Sequence, residues 1–241
     1  WSLTPFFAGV LVDFRSFSFA YTVAAVCTSL GALYLWVNPV PVKLKKRSKS
    51  SYKIIPNLKS YFKDKHLVDA FIMNAGVNIW WGFLFTFVTL FMIDNGYTTS
   101  NVGLFITITQ IPLFLFEFKV NTLVEKFRFR VPFFLSYSLL VIGSLLVFLI
   151  DFSLLSLVIL TIASLAMIFV EPARELFVYE NLAEEDEERM YPVYGTGSLV
   201  GSISVRLVIS AVLVFFSINA AFLAIALIMS YIAHRAYRIK N

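Results

Sequence analysis

The chain has 241 residues, of which 59% are apolar and 15% charged, with a formal net charge of +5. Soluble globular chains run at roughly 45–50% apolar and about 25% charged. That gap excludes a disordered chain, a disulfide scaffold and an ordinary soluble enzyme, and makes lipid the solvent for most of the molecule. The single cysteine, Cys27, excludes an internal disulfide and a paired-cysteine metal site. His66 and His234 lie at the edges of apolar runs, which argues against a histidine metal centre.

A bilayer core of about 30 Å takes about 20 residues of helix. Charge-free windows therefore predict the spans. Residues 1–12 read as the end of an apolar helix. Full spans follow at 17–37, 68–93, 101–118, 131–150, 152–171, 192–214 and 218–236. The last two share one apolar stretch, 190–234, about 67 Å long as a single helix and so too long for one crossing. The fold-back is placed near Ser217-Ile218-Asn219. The runs are too long, and alternate too little, for strands of a membrane barrel. A helix also satisfies its own backbone in lipid.

Seven spans and a stub assign every loop to one side. Loop 38–66 carries nine Lys and Arg, loop 119–130 four, loop 172–191 two and the C-terminal tail three, together 18 of 20. The other side has Arg15 alone, and Arg206 lies inside a span. Cytoplasmic loops carry the excess of basic residues, so the long loop and the C-terminus are expected in the cytoplasm of a plasma (cell inner) membrane. Loop 38–66 opens with Asn38-Pro39-Val40-Pro41, which ends a helix. It reads as a solvated linker, with a Lys-rich run suited to anionic lipid. Residues 183–189 read as an exposed loop or short surface helix.

Strongly polar side chains at mid-membrane depth tend to face a cavity or a partner helix. Asn74 and Asn78 share one face of their span, with Trp81 one turn on. Gln110 precedes Pro112 by two residues. Arg206 falls near the middle of 192–214. Asp69, Glu117 and Glu171 read as lying near the cytoplasmic ends, so no carboxylate is expected opposite Arg206. Its guanidinium suits a carboxylate or phosphate. It serves the pathway, bonds between helices, or lies at another depth than its place in the span suggests. For Asn74, Asn78 and Gln110 the alternatives are cavity contacts or helix-to-helix hydrogen bonds. Trp80 and Trp81 are packing residues, or one of them, Trp81 before Trp80, stacks on a ligand.

Residues Asn121 to Pro132 read Asn-Thr-Leu-Val-Glu-Lys-Phe-Arg-Phe-Arg-Val-Pro. This segment resembles the cytoplasmic signature of the major facilitator superfamily, Gly-x-Leu-x-Asp-Arg-x-Gly-Arg-Arg, at Leu123, Glu125, Lys126 and Arg130. Gly96-Tyr97-Thr98-Thr99-Ser100-Asn101-Val102-Gly103 is similar to the family's external turn. Thr4 to Asp13 is similar to the end of its fifth helix. The resemblance implies an all-α polytopic membrane protein, a major-facilitator-like helical bundle with its first four helices absent. Residues 1–37 then hold the end of helix five and helix six, 38–66 a basic cytoplasmic linker, and 67–241 the C-terminal six-helix half. Aligning 4–26 with 205–227 pairs a few identical residues, consistent with the family's internal repeat.

In that family the spans holding Asn74, Asn78, Gln110 and Arg206 line the central pathway. The resemblance also implies a charge cluster latching one conformation, from Glu125, Lys126, Arg130, Glu171 and Arg174. Plain anchoring of basic residues at the membrane surface is the simpler reading of these residues. The expected function is secondary transport of a small, polar or anionic organic solute by alternating access. A non-transporting scaffold or receptor is the alternative. Neither a cofactor nor covalent chemistry is expected. The expected partners are the solute, membrane lipid and the missing N-terminal helices, with no nucleic acid.

Overall fold

The computed structural model describes residues 3–39, 54–150 and 152–239; within the helix that follows residue 98, the side chains at 114 and 117–126 lie outside the description. Every regular element among the described residues is helical. α1 (Thr4–Phe14) is followed by α2 (Phe17–Val37), whose cap residue Ser16 accepts a hydrogen bond from the Phe19 amide at 3.2 Å. Most of the basic linker lies outside the described residues, but its end forms α3 (Ile54–Tyr61). Asp64 then caps α4 (Lys65–Phe83) by accepting from the amides of His66 and Leu67, satisfying two donors that a helix start leaves open.

The span begun by α4 continues through a π-helical turn at Leu84–Val88 into α5 (Thr89–Asp94). Gly96, with φ +81°, makes the reversal into α6 (Thr99–Phe127). α7 (Arg130–Phe148), α8 (Leu154–Ser164), α9 (Met167–Asn181), α10 (Glu187–Phe215) and α11 (Ile218–Tyr237) complete the chain. Six helical segments, Phe17–Val37, Lys65–Asp94, Arg130–Phe148, Leu154–Asn181, Glu187–Phe215 and Ile218–Tyr237, are long and apolar enough to cross a membrane. α6, at 29 residues, is about 43 Å long and supplies the length of the remaining expected span.

Three expectations change. The loop at 119–130 shrinks to Arg128 and Phe129, because α6 stays helical to Phe127 and stops only where Arg128 takes φ 55°. The span at 152–171 is two helices, broken at Leu165–Ala166. There the amides of Leu165, Ala166, Ile168 and Phe169 bond three residues back, a tight turn of the kind often found where a helix hinges. Third, Glu171-Pro172-Ala173-Arg174 does not end a span. Pro172 sits inside α9, which runs on to Asn181. A proline lacks its own amide and crowds the carbonyl four residues back; here that residue is Ile168, in the tightened turn that has already left the regular ladder. The loop expected at 172–191 is therefore Leu182–Asp186, and α10 takes in Pro192 as well.

α4 is the centre of the bundle. It packs on α9, α10 and α11, and α7 packs on α8 and α11. α10 lays a single stripe on α4, with Tyr194, Gly197, Gly201, Val205 and Ile209 buried. The contact is backbone-close, since a Cβ on Gly201 would fall 2.4 Å from the Ala75 carbonyl oxygen. Small residues permit this approach in a membrane, where packing replaces the hydrophobic effect between helices. α1 crosses α6 in the same manner, Gly9 against Thr99 and Gly103 against Pro5. α2 buries none of its residues.

Candidate functional site

The helices present two ends. One, here the basic end, holds Lys65, Arg130, Arg189 and Arg235; the opposite end holds Arg15, Asp94 and Phe216. Between them a cavity of about 380 Å³ is lined by Asn78, Trp81, Gln110, Glu171, Ser202 and Arg206, with Gly82, Phe85 and Leu113. α4, α6, α9 and α10 each contribute, together with the π turn. Trp81 stands halfway along the 30-residue segment Lys65–Asp94, so the cavity lies at mid-depth.

Four of the five residues expected along a pathway, Asn78, Trp81, Gln110 and Arg206, thus meet at one cavity. The fifth, Asn74, is buried and turned elsewhere. Its amide nitrogen donates to the Tyr194 carbonyl at 2.8 Å, and its oxygen accepts from Arg174, from Ser198 at 3.3 Å and from Asn78 at 3.3 Å. Asn74 therefore ties α4 to α9 and α10 and is closed to a solute.

Glu171 changes place. It is not at a helix end but in the cavity wall, where Trp81 donates its indole N–H to one carboxylate oxygen at 2.8 Å and Arg174 meets the other at 2.7 Å. Arg174 also faces Glu175 at 3.7 Å. Glu175 in turn accepts from the hydroxyls of Tyr191 at 3.0 Å and Tyr194 at 3.1 Å. This network of paired charges binds α4, α9 and α10 on the basic side of the cavity. Arg130 stands apart from it, its guanidinium lying 4.2 Å from the ring centre of Tyr237. The side chains of Glu125 and Lys126, expected in the same latch, lie outside the described residues. Elsewhere at the basic end Arg235 pairs with the buried Asp69, joining α11 to α4.

Arg206 is exposed on α10, beyond the middle of that helix toward the opposite end, and makes no ion pair among the described residues. Gln110 is half-buried, and its amide has no hydrogen-bond partner among them. Trp80, by contrast, is fully buried and donates to Ser164 at 3.1 Å. Adjacent tryptophans thus hold the two sides of the α8–α9 break, Trp80 above it through Ser164 and Trp81 below it through Glu171. Sequence reasoning missed Phe85, whose ring stacks on Trp81 with centres 5.2 Å apart. A second cavity of about 380 Å³, between α6 and α8, is walled mostly by apolar residues such as Leu104, Ile108, Leu157 and Ile162 and has no charged group in its lining.

Apolar helices of membrane-spanning length, with a polar cavity at mid-depth among the described residues, define an integral membrane protein. The family model for the Major Facilitator Superfamily matches residues 1–205. The chain belongs to that superfamily of transporters, as the motif at 121–132 and the turn at 96–103 lead one to expect. No curated protein and no solved structure matches the chain.

Proposed function

We propose that the chain forms the C-terminal half, with the end of the N-terminal half, of a secondary transporter that moves a small polar or anionic organic solute by alternating access. The observation that carries this reading is the convergence of Asn78, Trp81, Gln110, Glu171 and Arg206 on one mid-depth cavity. A polar cavity at that depth is costly unless a solute or water uses it, and major transporter folds bind solute at the midplane between repeats. Residues 1–37 belong to the first half, 38–66 to the linker and 67–241 to the second half. The basic end faces the cytoplasm of the plasma membrane, following the bias of Lys and Arg. Helices that would precede residue 1 supply the facing wall.

Of the residues expected to latch one conformation, Glu171 and Arg174 form a pair within α9 and hold this half as one body on the basic side of the cavity. Arg130 serves as an anchor beside Tyr237, and Glu125 and Lys126 act from the end of α6. No covalent step and no cofactor enters this cycle. The solute shifts the balance between two conformations by binding one better than the other. Uptake by the whole protein in its membrane tests the reading. Arg206→Ala is expected to abolish uptake, and Arg206→Lys to restore part of it, since a point charge replaces a planar fork. Undiminished uptake by Arg206→Ala at equal surface expression refutes the assignment.

A further inference from the structure

We infer that the solute is a planar organic monocarboxylate, an anionic group on a flat and largely apolar body such as an aromatic ring. This rests on the transport reading and narrows it. Each wall of the cavity makes one demand.

The first demand is charge. Two ionised side chains line the cavity, Glu171 and Arg206. Both oxygens of Glu171 are occupied, one by the Trp81 indole and one by Arg174. Its charge is matched before any solute arrives, so a cationic solute would have to displace Arg174. Arg206 has no such counter-ion among the described residues. Glu175, which shares Arg174, accepts from Tyr191 and Tyr194 and is not in the lining, so the charge in the wall left without a partner is that of Arg206. A guanidinium fork pairs with a carboxylate through two parallel hydrogen bonds. One unmatched cation suits one negative charge better than the two of a phosphate monoester.

The second demand is shape. Trp81 and Phe85 form a stacked pair, with rings 23° from parallel. The indole is pinned by its bond to Glu171, so this shelf is a fixed surface. Aromatic faces prefer offset-stacked or edge-on aromatic partners. Gly82, between them in the chain, adds no side chain to the wall.

The third demand is a small polar complement. Asn78 already donates to the Asn74 carbonyl at 2.9 Å. That leaves the Gln110 amide, the Ser202 hydroxyl and the Asn78 amide oxygen as the additional polar contacts. A sugar, with hydroxyls on every side, would meet Trp81, Phe85 and Leu113 over much of its surface and leave groups unpaired. A flat ring bearing one carboxylate would not. The volume, about 380 Å³, holds one such molecule, at the small end of the range for ligand pockets.

The test is a thermal-shift binding titration of the purified whole protein with benzoate, indole-3-acetate, cyclohexanecarboxylate, benzamide and phenyl phosphate. Benzoate or indole-3-acetate is expected to bind at least about tenfold more tightly than the other three probes. Arg206→Gln is expected to erase the preference for benzoate over benzamide, and Arg206→Lys to keep part of it. Phe85→Leu, which touches no hydrogen bond, is expected to erase the preference for benzoate over cyclohexanecarboxylate. Equal binding of benzoate and benzamide overturns the charge assignment. Equal binding of benzoate and cyclohexanecarboxylate overturns the shape assignment, and absence of binding by both planar carboxylates overturns the inference as a whole. Uptake of a neutral or aliphatic probe that depends on Arg206 would refute the solute class and leave the transport reading standing. Failure of every solute to be moved would refute transport itself.

Discussion

Two contacts hold the bundle together on either side of the cavity, and they are made of different materials. On the basic side, Arg174 is wedged between Glu171 at 2.7 Å and Glu175 at 3.7 Å and bonded to Asn74, so α4, α9 and α10 share one network. At the opposite end, α1 meets α6 through backbone against backbone at Gly9 and Gly103. One exposed carboxylate, Asp13, accepts from the Ser100 amide at 2.7 Å, from the Thr99 amide at 3.2 Å and from the Thr99 hydroxyl. The first contact is half-buried and charge-paired, and breaking it leaves charges without a partner. The second is open to water, which takes over its hydrogen bonds when it parts. The first behaves as a knot and the second as a joint.

The largest effect is expected at the knot. Arg174→Leu leaves Glu171, Glu175 and Asn74 without their shared partner, and since the network is half-buried the cost is expected at the low end of the range for a buried pair, about 3 kcal/mol. Denaturation of the purified protein in detergent measures it. Parental stability in this variant would mean that the network does not tie the helices.

Smaller, and directly comparative, is a matched pair of glycine changes. Gly201→Ala drives a methyl to 2.4 Å from the Ala75 carbonyl oxygen, between α10 and the central α4. Parting α10 from α4 would open the whole stripe from Tyr194 to Ile209, and overpacking of this kind costs about 1–3 kcal/mol. Gly103→Ala places its methyl 2.2 Å from the Pro5 carbonyl oxygen, closer still, yet α1 is free to move off. Cross-linking between cysteines placed on α1 and α6 is expected to fall in Gly103→Ala, with detergent stability unchanged. Equal destabilisation by both changes would erase the distinction between knot and joint.

Trp80→Phe probes the seam between the two regions. It deletes the bond to Ser164 at 3.1 Å and leaves a gap where the larger, fully buried indole was, together a loss of about 2 kcal/mol. The effect is expected to appear as faster amide exchange around Leu165–Ala166 rather than as global unfolding. Unchanged exchange there would show that the tryptophan pair does not brace the break.

How much of this was legible beforehand follows from which residues are rare. Charge is scarce in lipid, so the spans and the fold-back near Ser217 could be read from where Lys, Arg, Asp and Glu are missing. Polar side chains at depth are scarcer still, which is why Asn78, Gln110 and Arg206 stood out and do meet at the cavity. Asn74 shares their face by spacing, and only packing separates it, because α10 comes close enough at Gly197 and Gly201 to cover it. Glu171 was misplaced because Pro172 looks like the end of a helix. The tight turn that lets the helix continue depends on backbone bonds that no side chain announces. Phe85 was hidden by abundance, one of 26 phenylalanines, until the turn at Leu84–Val88 set it against Trp81.

The smallest effect is expected at Asp13. Hydrogen bonds from Ser100 and Thr99 hold its carboxyl well below the usual carboxylate range. A depressed value means that the joint gains from ionised Asp13 at any pH above the ordinary carboxylate value, about 3.9. That gain is lost only as pH falls from there toward the lower value of the closed state. Between pH 8 and pH 5 the α1–α6 joint is therefore expected to show no pH dependence from this residue. Asp13→Asn keeps one acceptor but removes the charge that favours a helix start. It is expected to open the joint about fivefold more often, as loss of a helix cap does. The cysteine cross-link between α1 and α6, followed against pH in parent and variant, reads both effects. A parental joint that loosens between pH 7 and pH 5 while Asp13→Asn does not would place the titration at Asp13 and show that its carboxyl is not held down.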